Sequence, residues 1–577
     1  MLGKLLARYL RPGWPLIIGV VVFQLAQSMA ALLLPSLNAD IIDNGVVTGD
    51  IGYIWSIGGI MLGVSLLQIA CAVVAVFFGS RLAMGMGREL RSDLFHRVVA
   101  FSQREVGQFG APSLITRNTN DVQQVQMLVQ VSATLMISAP ILAIGGIVMA
   151  IRQDVGLSWL MAVSVPALLV FVGLIVWRMV PAFAVMQRKI DRVNQILREQ
   201  LTGIRVVRAF VREREERVRF ATASDDLRRT ATLAGSYMAL MFPVVMLVLN
   251  VSSVAVIWFG ASQVQSGDVQ IGTLFAFLNY LMQILMGVMM ATFMFVMIPR
   301  AAVCAQRIGA VLETEPSVAA PADPVAAPVP SGRIVFDHVD FAYPGAQDAV
   351  LHDVSFTVEP GTTTAIIGST GSGKSTLVGL VPRLFDVTAG SVSVDGVDVR
   401  AYDPDDLWAR IGLIPQRAFL FAGSVASNLR YGGHDATDDE LWDALTIAQA
   451  ADFVAGMPGG LEAPIAQGGT NVSGGQRQRL AIARALVKRP PVYVFDDSFS
   501  ALDLRTDAAL RRALDALRPR VTRLVVAQRV STIQHADQIV VLDHGRVVGI
   551  GAHDELGESN ETYREIVESQ LSAQEAA

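Results

Sequence analysis

One run of residues in this chain is composed for holding phosphate. Gly368-Ser369-Thr370-Gly371-Ser372-Gly373-Lys374-Ser375-Thr376 follows the strand-like run TTTAII and precedes the helical run LVGLVPRLF. Glycines let the backbone curl so that successive N–H groups face an anion, and the helix N-terminus behind them adds its dipole. Lys374 is expected to reach the β- and γ-phosphates of a nucleoside triphosphate, and the Ser375 hydroxyl to ligate Mg²⁺. The plain alternative is a glycine-rich turn before a helix; the preceding strand, the following helix and the Lys-Ser pair argue against it. Such a loop needs an acidic metal partner at the end of an apolar strand. Pro491-Val-Tyr-Val-Phe-Asp496 supplies one, with Asp496 placed to hold the metal through water. Alone that pattern is common; it gains force from Asn471-Val472-Ser473-Gly474-Gly475-Gln476 directly upstream.

The elements that must position these residues fill two different halves. The chain has 577 residues, too many for one ordinary domain. It is 52% hydrophobic, with 17% charged residues and a mean hydropathy of +0.46. A membrane half joined to a soluble half gives such an average. A net charge of -5 gives no reason to expect nucleic acid as a partner. The two cysteines, Cys71 and Cys304, match no metal or disulfide spacing and read as packing residues. The opening MLGKLLARYLRPGW lacks a signal-peptidase site and reads as an amphipathic lead-in helix on the membrane surface.

Six stretches are long and apolar enough to cross about 30 Å of hydrocarbon: roughly Pro15–Leu37, Tyr53–Phe78, Val131–Ile151, Leu157–Val180, Tyr237–Gly260 and Thr273–Ile298. RQDVG joins the third to the fourth, and ASQVQSGDVQIG the fifth to the sixth. The segments after the second and fourth are much longer, helical in pattern and rich in charge. The fourth span is followed by Arg188, Lys189, Arg192, Arg198, Arg205, Arg208, Arg212 and Arg214, whereas the loop after the first carries Asp40, Asp43 and Asp50. Positive residues stay inside, so both termini, both long loops and the C-terminal domain are expected to be cytoplasmic. TEPSVAAPADPVAAPVPSG reads as an extended linker. The expected division is therefore 1–312 for an all-α six-helix membrane domain, 313–332 for the linker, and 333–577 for an α/β nucleotide-binding domain.

Ser473-Gly474-Gly475-Gln476 followed by RQRLAIARAL resembles the signature motif of the ABC ATPase family, and the rest of the domain agrees in order and spacing. Six spans with two long cytoplasmic loops and a C-terminal ATPase are similar to exporter-type half-transporters. The resemblance implies ATP and Mg²⁺ as cofactors. It implies that Tyr343 stacks on adenine, that Gln416 touches Mg²⁺ and senses the membrane domain, and that Ser500-Ala-Leu-Asp503 crosses a dimer interface. It also implies head-to-tail pairing, with Ser473, Gly474 and Gly475 facing the ATP of a second half-transporter subunit. Two cytoplasmic segments look like coupling helices, one around Phe109-Gly110 and one over Leu201–Phe210.

Three positions depart from the family pattern. Asp497 stands where a glutamate usually acts as general base; one methylene fewer withdraws the carboxylate by roughly 1 Å, which can lower a rate on the order of 10²-fold. Gln528 stands where a histidine usually contacts the γ-phosphate, and an amide cannot carry the proton of an imidazole. His535 lies too late and His553 sits in the usual GxHxEL tail, so neither takes that place. Gln467 replaces a common glutamate before the signature. Loss of both catalytic groups beside an intact phosphate loop resembles the degenerate subunit of bacterial heterodimeric exporters. A homodimer that turns over slowly, an importer of the same fold and a regulatory ATP-gated subunit are the competing readings.

In the last span Met282, Met286 and Met290 share one face, with Met289, Met294 and Met297 nearby. Flexible methionines suit a cavity for varied apolar solutes, though they are also ordinary packing residues. Asn250, Asn279 and Gln283 are the polar candidates, for ligand or for helix contact. No acid or base lies deep in the spans, so a small amphipathic or hydrophobic solute is expected. Abundant Ala and Val, with Arg favoured over Lys, suggests a bacterium and its plasma (inner) membrane.

Overall fold

A computed structural model of the chain describes residues 1–517 and 520–575. It divides into two compact units, Met1–Val99 with Pro112–Thr314, and Ala100–Ala111 with Glu315–Ala577.

The first unit is helical. Six runs are long and apolar enough to cross a membrane: Leu2–Val46, Ile51–Val99, Ala111–Gln153, Trp159–Thr202, Glu213–Ser266 and Ile271–Glu313. Each is unbroken through its apolar stretch, as backbone groups in hydrocarbon demand internal hydrogen bonding, and each runs on past it. The lead-in helix forms over Leu2–Leu10. The fourth run begins at Trp159 rather than Leu157, because Asp154 Oδ1 accepts from Leu157 N at 2.6 Å and keeps that residue in the turn. The fifth runs on through Ser266, well into the expected connector, and is closed by Gly267 at φ 82°. That left-handed cap is cheap only for glycine. The core of the unit gathers on the sixth run, where Phe277, Tyr280, Leu281 and Ile284 are buried with Leu32, Leu168 and Val245. On that same helix Met282 and Met286 are exposed, Met294 is buried and Met290 is half-buried. Gln283 donates to Ala31 O at 3.1 Å and Asn279 to Phe275 O at 2.9 Å, so both amides bond to helix backbone. Between the fourth and fifth runs the short helix Ile204–Ala209 stands with Val206 and Phe210 exposed.

Among its described residues the second unit holds twelve strands: β1 Ile334–Phe341, β2 Leu351–Val358, β3 Thr363–Ile367, β4 Ala389–Val394, β5 Val397–Asp398, β6 Ile411–Ile414, β7 Gly423–Ser424, β8 Pro464–Ile465, β9 Val492–Asp496, β10 Thr522–Val526, β11 Gln538–Asp543 and β12 Arg546–Gly551. A six-stranded sheet runs β12-β11-β3-β10-β9-β6, parallel except for the β11–β12 hairpin. Its central strands are apolar on both faces, as a covered parallel sheet requires. A second sheet, β2-β1-β4-β5, is antiparallel, and β7 pairs with β8.

The connector from Thr314 to Arg333 has neither helix nor strand, yet its second half is fastened. Val325 N donates to Ala401 O at 2.9 Å, and Arg410 Nη2 to Pro328 O at 2.5 Å. Asp395 Oδ1 accepts from Ser331 N, Ser331 Oγ, Gly332 N and Arg333 N at 2.7 to 3.2 Å. Its Oδ2 receives Arg410 Nη1 at 2.6 Å, and both side chains are buried. Asp395 and Gly396, at φ 52° and 81°, form the tight turn between β4 and β5 that both positive values favour. The short helix Gln103–Phe109 is grouped with this unit. A Ser102–Glu105 capping box begins it, and Phe101 stacks on Phe109 at 5.8 Å.

Candidate ATP site

Strand β3 delivers the chain into the loop Gly368–Gly373, and helix Lys374–Leu380 leaves it. Gly373 has φ 97°, and a Cβ there would meet Leu351 Cδ2 at 2.8 Å; at Gly368 it would meet Leu542 O. Only glycine fits either place, which leaves the backbone free to curl around an anion. Lys374 is 9% exposed and its Nζ donates to Gly368 O at 2.9 Å, Ser369 O at 2.7 Å and Ser372 Oγ at 3.4 Å. Burial lowers its pKa, against the pull of Asp497 and Asp496. Thr370 and Gly371 are exposed at the loop tip, and Thr376 Oγ1 meets the Tyr343 hydroxyl at 2.9 Å.

Strand β9 ends at Asp496, whose Oδ1 accepts from Ser375 Oγ at 2.7 Å. Burial raises the Asp496 pKa; the hydrogen bond from Ser375 and the charge of Lys374 offset part of this, and the charge of Asp497 adds to it. Asp497 follows in the left-handed region at φ 46°, 6% exposed, with its N–H on Val526 O. That turn aims the short side chain at two amides. Gln416 Nε2 reaches Asp497 Oδ2 at 3.2 Å, and Gln528 Nε2 reaches the same oxygen at 2.8 Å. Two donors fill the lone-pair sites of that oxygen.

The structure thus brings together, through hydrogen bonds, the phosphate loop, Tyr343, Gln416, Asp496, Asp497 and Gln528. Ser473–Gln476 stand apart at an exposed helix start. There Ser473 Oγ accepts from Gln476 N at 3.2 Å while Gln476 Oε1 accepts from Ser473 N at 2.9 Å. A Cβ on Gly475 would come within 3.2 Å of Ala501 O, so the signature adjoins the Ser500–Asp503 loop. Asp503 itself caps helix Leu504–Asp515. His553 Nδ1 bonds the Tyr563 hydroxyl at 2.7 Å, away from the phosphate loop.

Two supports of the site escape a reading of motifs. Phe341 and Phe385 meet the Tyr343 ring edge-to-face at 5.0 and 5.5 Å; the aromatic in LVPRLF is the signal that could have found one of them. Gln570, on the C-terminal helix Glu561–Glu575, donates to Gln528 O and accepts from Val530 N, both at 2.8 Å. No sequence signal marks it.

Six helices able to cross a membrane and an α/β domain with this loop and signature define a nucleotide-binding transport protein. Residues 16–289 match the family described as ABC transporter transmembrane region, and residues 351–500 that described as ABC transporter. An uncharacterized ABC transporter ATP-binding protein of Mycobacterium tuberculosis is 50% identical over 99% of this chain and 98% of its own length. An ATP-dependent lipid A-core flippase of Chromobacterium violaceum is 30% identical, covering 96% of each chain. The solved structure of a bacterial Atm1-family ABC exporter with ATP bound shares the fold, with a TM-score of 0.80 at 24% identity, over 97% of this chain and 98% of that one. The chain belongs to the ABC transporter family and has the architecture of an exporter-type half-transporter.

Proposed function

We propose that the chain is the ATP-driven transport subunit of an exporter of small amphipathic or hydrophobic solutes, lipids or drugs, in a bacterial plasma membrane. It works beside a different half-transporter, and its own phosphate-loop site hydrolyses slowly. The observation that carries this is Asp497 Oδ2, which accepts from both Gln416 and Gln528 where a glutamate and a histidine are expected. With both lone pairs of Oδ2 engaged by amide donors, only Oδ1 of a side chain one methylene shorter than glutamate is left to take a proton from water. Kinship with a protein called a lipid A-core flippase supports a lipid-like solute.

In this reading the N–H groups of Ser369–Gly373 and Lys374 Nζ bind the phosphates, and Tyr343 stacks on adenine. Ser375 Oγ, Asp496 and the Gln416 amide form a set of hard oxygen donors that fits Mg²⁺. The metal supplies, when bound, neutralisation of charge on the β- and γ-phosphate oxygens. Ser473, Gly474, Gly475 and Gln476 complete the partner's site.

The test is ATP hydrolysis by the purified chain alone and co-expressed with the half-transporter of the neighbouring gene, with Asp497→Glu/Gln528→His in parallel. Little turnover alone, recovery with the partner and a gain on the order of 10-fold or more from the double substitution are expected. Brisk turnover by the unaltered chain alone would refute the slow-site reading.

A further inference from the structure

Behind the catalytic strand ends lies a cavity of about 360 Å³ between helix Leu504–Asp515, strand β10 and helix Val530–Ile533. Its size is at the lower end for small-molecule sites. Phe495, Phe499, Leu514, Val525 and Ile533, each nearly fully buried, form an apolar floor. The rim carries Arg511, Arg512, Arg523 and His535 against one acid, Asp515.

Among the described residues, the arginines of the rim leave one without a carboxylate. Arg511 is spent on Asp507 at 3.1 Å and on the carbonyls of Ser531 and Thr532. Arg523 Nη2 pairs with Asp515 at 2.6 Å, while its Nε is buried with no acceptor. Arg512 bonds only the Ala508 carbonyl, through Nε at 3.2 Å, and has no carboxylate partner among the described residues. One unmatched guanidinium and one unmet buried donor stand over an aromatic and aliphatic floor. A planar fork of donors matches a carboxylate, and a single excess charge matches a monoanion.

We propose that this cavity binds a small amphipathic monocarboxylate, whose acid group meets Arg512 and Arg523 and whose body lies on Phe495, Phe499 and Ile533. The site is placed to touch catalysis, since Phe495 directly precedes Asp496, Phe499 shares the turn after Asp497, and helix Val530–Ile533 follows Gln528. The inference stands independently of the slow-site reading, because it concerns binding and needs neither a partner nor hydrolysis.

The probe is 2-naphthoate, titrated calorimetrically against the full chain in lipid nanodiscs, with empty discs subtracted and 2-naphthylmethanol as the uncharged control. Saturable binding to the unaltered chain is expected, at least tenfold tighter than for the alcohol. Ala508→Trp, which fills the cavity, and Arg512→Gln, at an exposed position, should each weaken it at least tenfold. Heat no greater than with empty discs, equal affinity for the alcohol, or binding that survives Arg512→Gln overturns the proposal.

Discussion

At the scale of single residues, the site is governed by which donors reach which oxygen. Gly373 in the phosphate loop stands at φ 97°, and a Cβ added there would come within 2.8 Å of Leu351 Cδ2. Gly373→Ala should strain the loop by about 1–3 kcal/mol and lower affinity for a fluorescent ATP analogue more than tenfold. Gln570 touches no expected ligand, yet its amide brackets the backbone of Arg529, directly after Gln528, by bonding Gln528 O and Val530 N. Gln570→Ala gives up two hydrogen bonds worth roughly 1 kcal/mol each. Turnover by the assembled transporter should fall several-fold, with ATP-analogue affinity kept within about twofold; an equal loss in both would mean that the helix merely supports the fold.

Elements bring a second kind of dependence, seen where strand β4, its hairpin and the connector meet. Asp395 and Arg410 form a buried pair, and Asp395 also collects four donors from Ser331, Gly332 and Arg333. Asp395→Asn leaves the guanidinium unpaired and should destabilise the ATPase unit by ~3–5 kcal/mol, read as a lowered midpoint in denaturant. Burial pushes the Asp395 pKa up, but the bonds from Ser331, Gly332 and Arg410 outweigh it and the net shift is downward. A folded value below the unfolded one means that the contribution is whole above about pH 4. It is lost as pH falls through the folded value, so the gap between wild type and Asp395→Asn should stay constant from neutral to mildly acidic pH and close only below that point. Asp-Gly reads from sequence as a hairpin turn and nothing more, because its partners lie across gaps such as the 63 positions to Gly332. The phosphate loop, by contrast, was legible outright, since its function is written in consecutive residues between a strand and a helix. Asp497 and Gln528 were singled out by their departures from pattern, but their shared oxygen, with Gln416 from 81 positions away, needed the fold. Spans were found because twenty apolar residues announce themselves, and the long segments after the second and fourth read as helical; where each helix stops was not legible, because charged helix carries no boundary mark of that kind.

For the whole molecule, the charge asymmetry around the spans makes a prediction about sides. Cys71 and Cys304 are both buried, so single introduced cysteines report cleanly. In intact cells an impermeant maleimide should label Val47→Cys, in the acidic first loop, and leave Arg214→Cys unlabelled until the membrane is opened. The reverse pattern would invert the topology. The connector that follows the sixth helix is held at several points along its length. Ser317 Oγ lies 2.9 Å from Ser102 Oγ, and Val325 and Pro328 are tied further on, so the slack before Val325 is residues 318–324, at about 3.5 Å each a leash of ~25 Å at most. Its far knot is Arg410, the residue directly before strand β6, and β6 leads to Gln416. One side chain therefore joins the connector to the strand that leads to the metal-side glutamine, by its hydrogen bond to Pro328 O and by its buried ion pair with Asp395, which in turn holds Ser331 to Arg333.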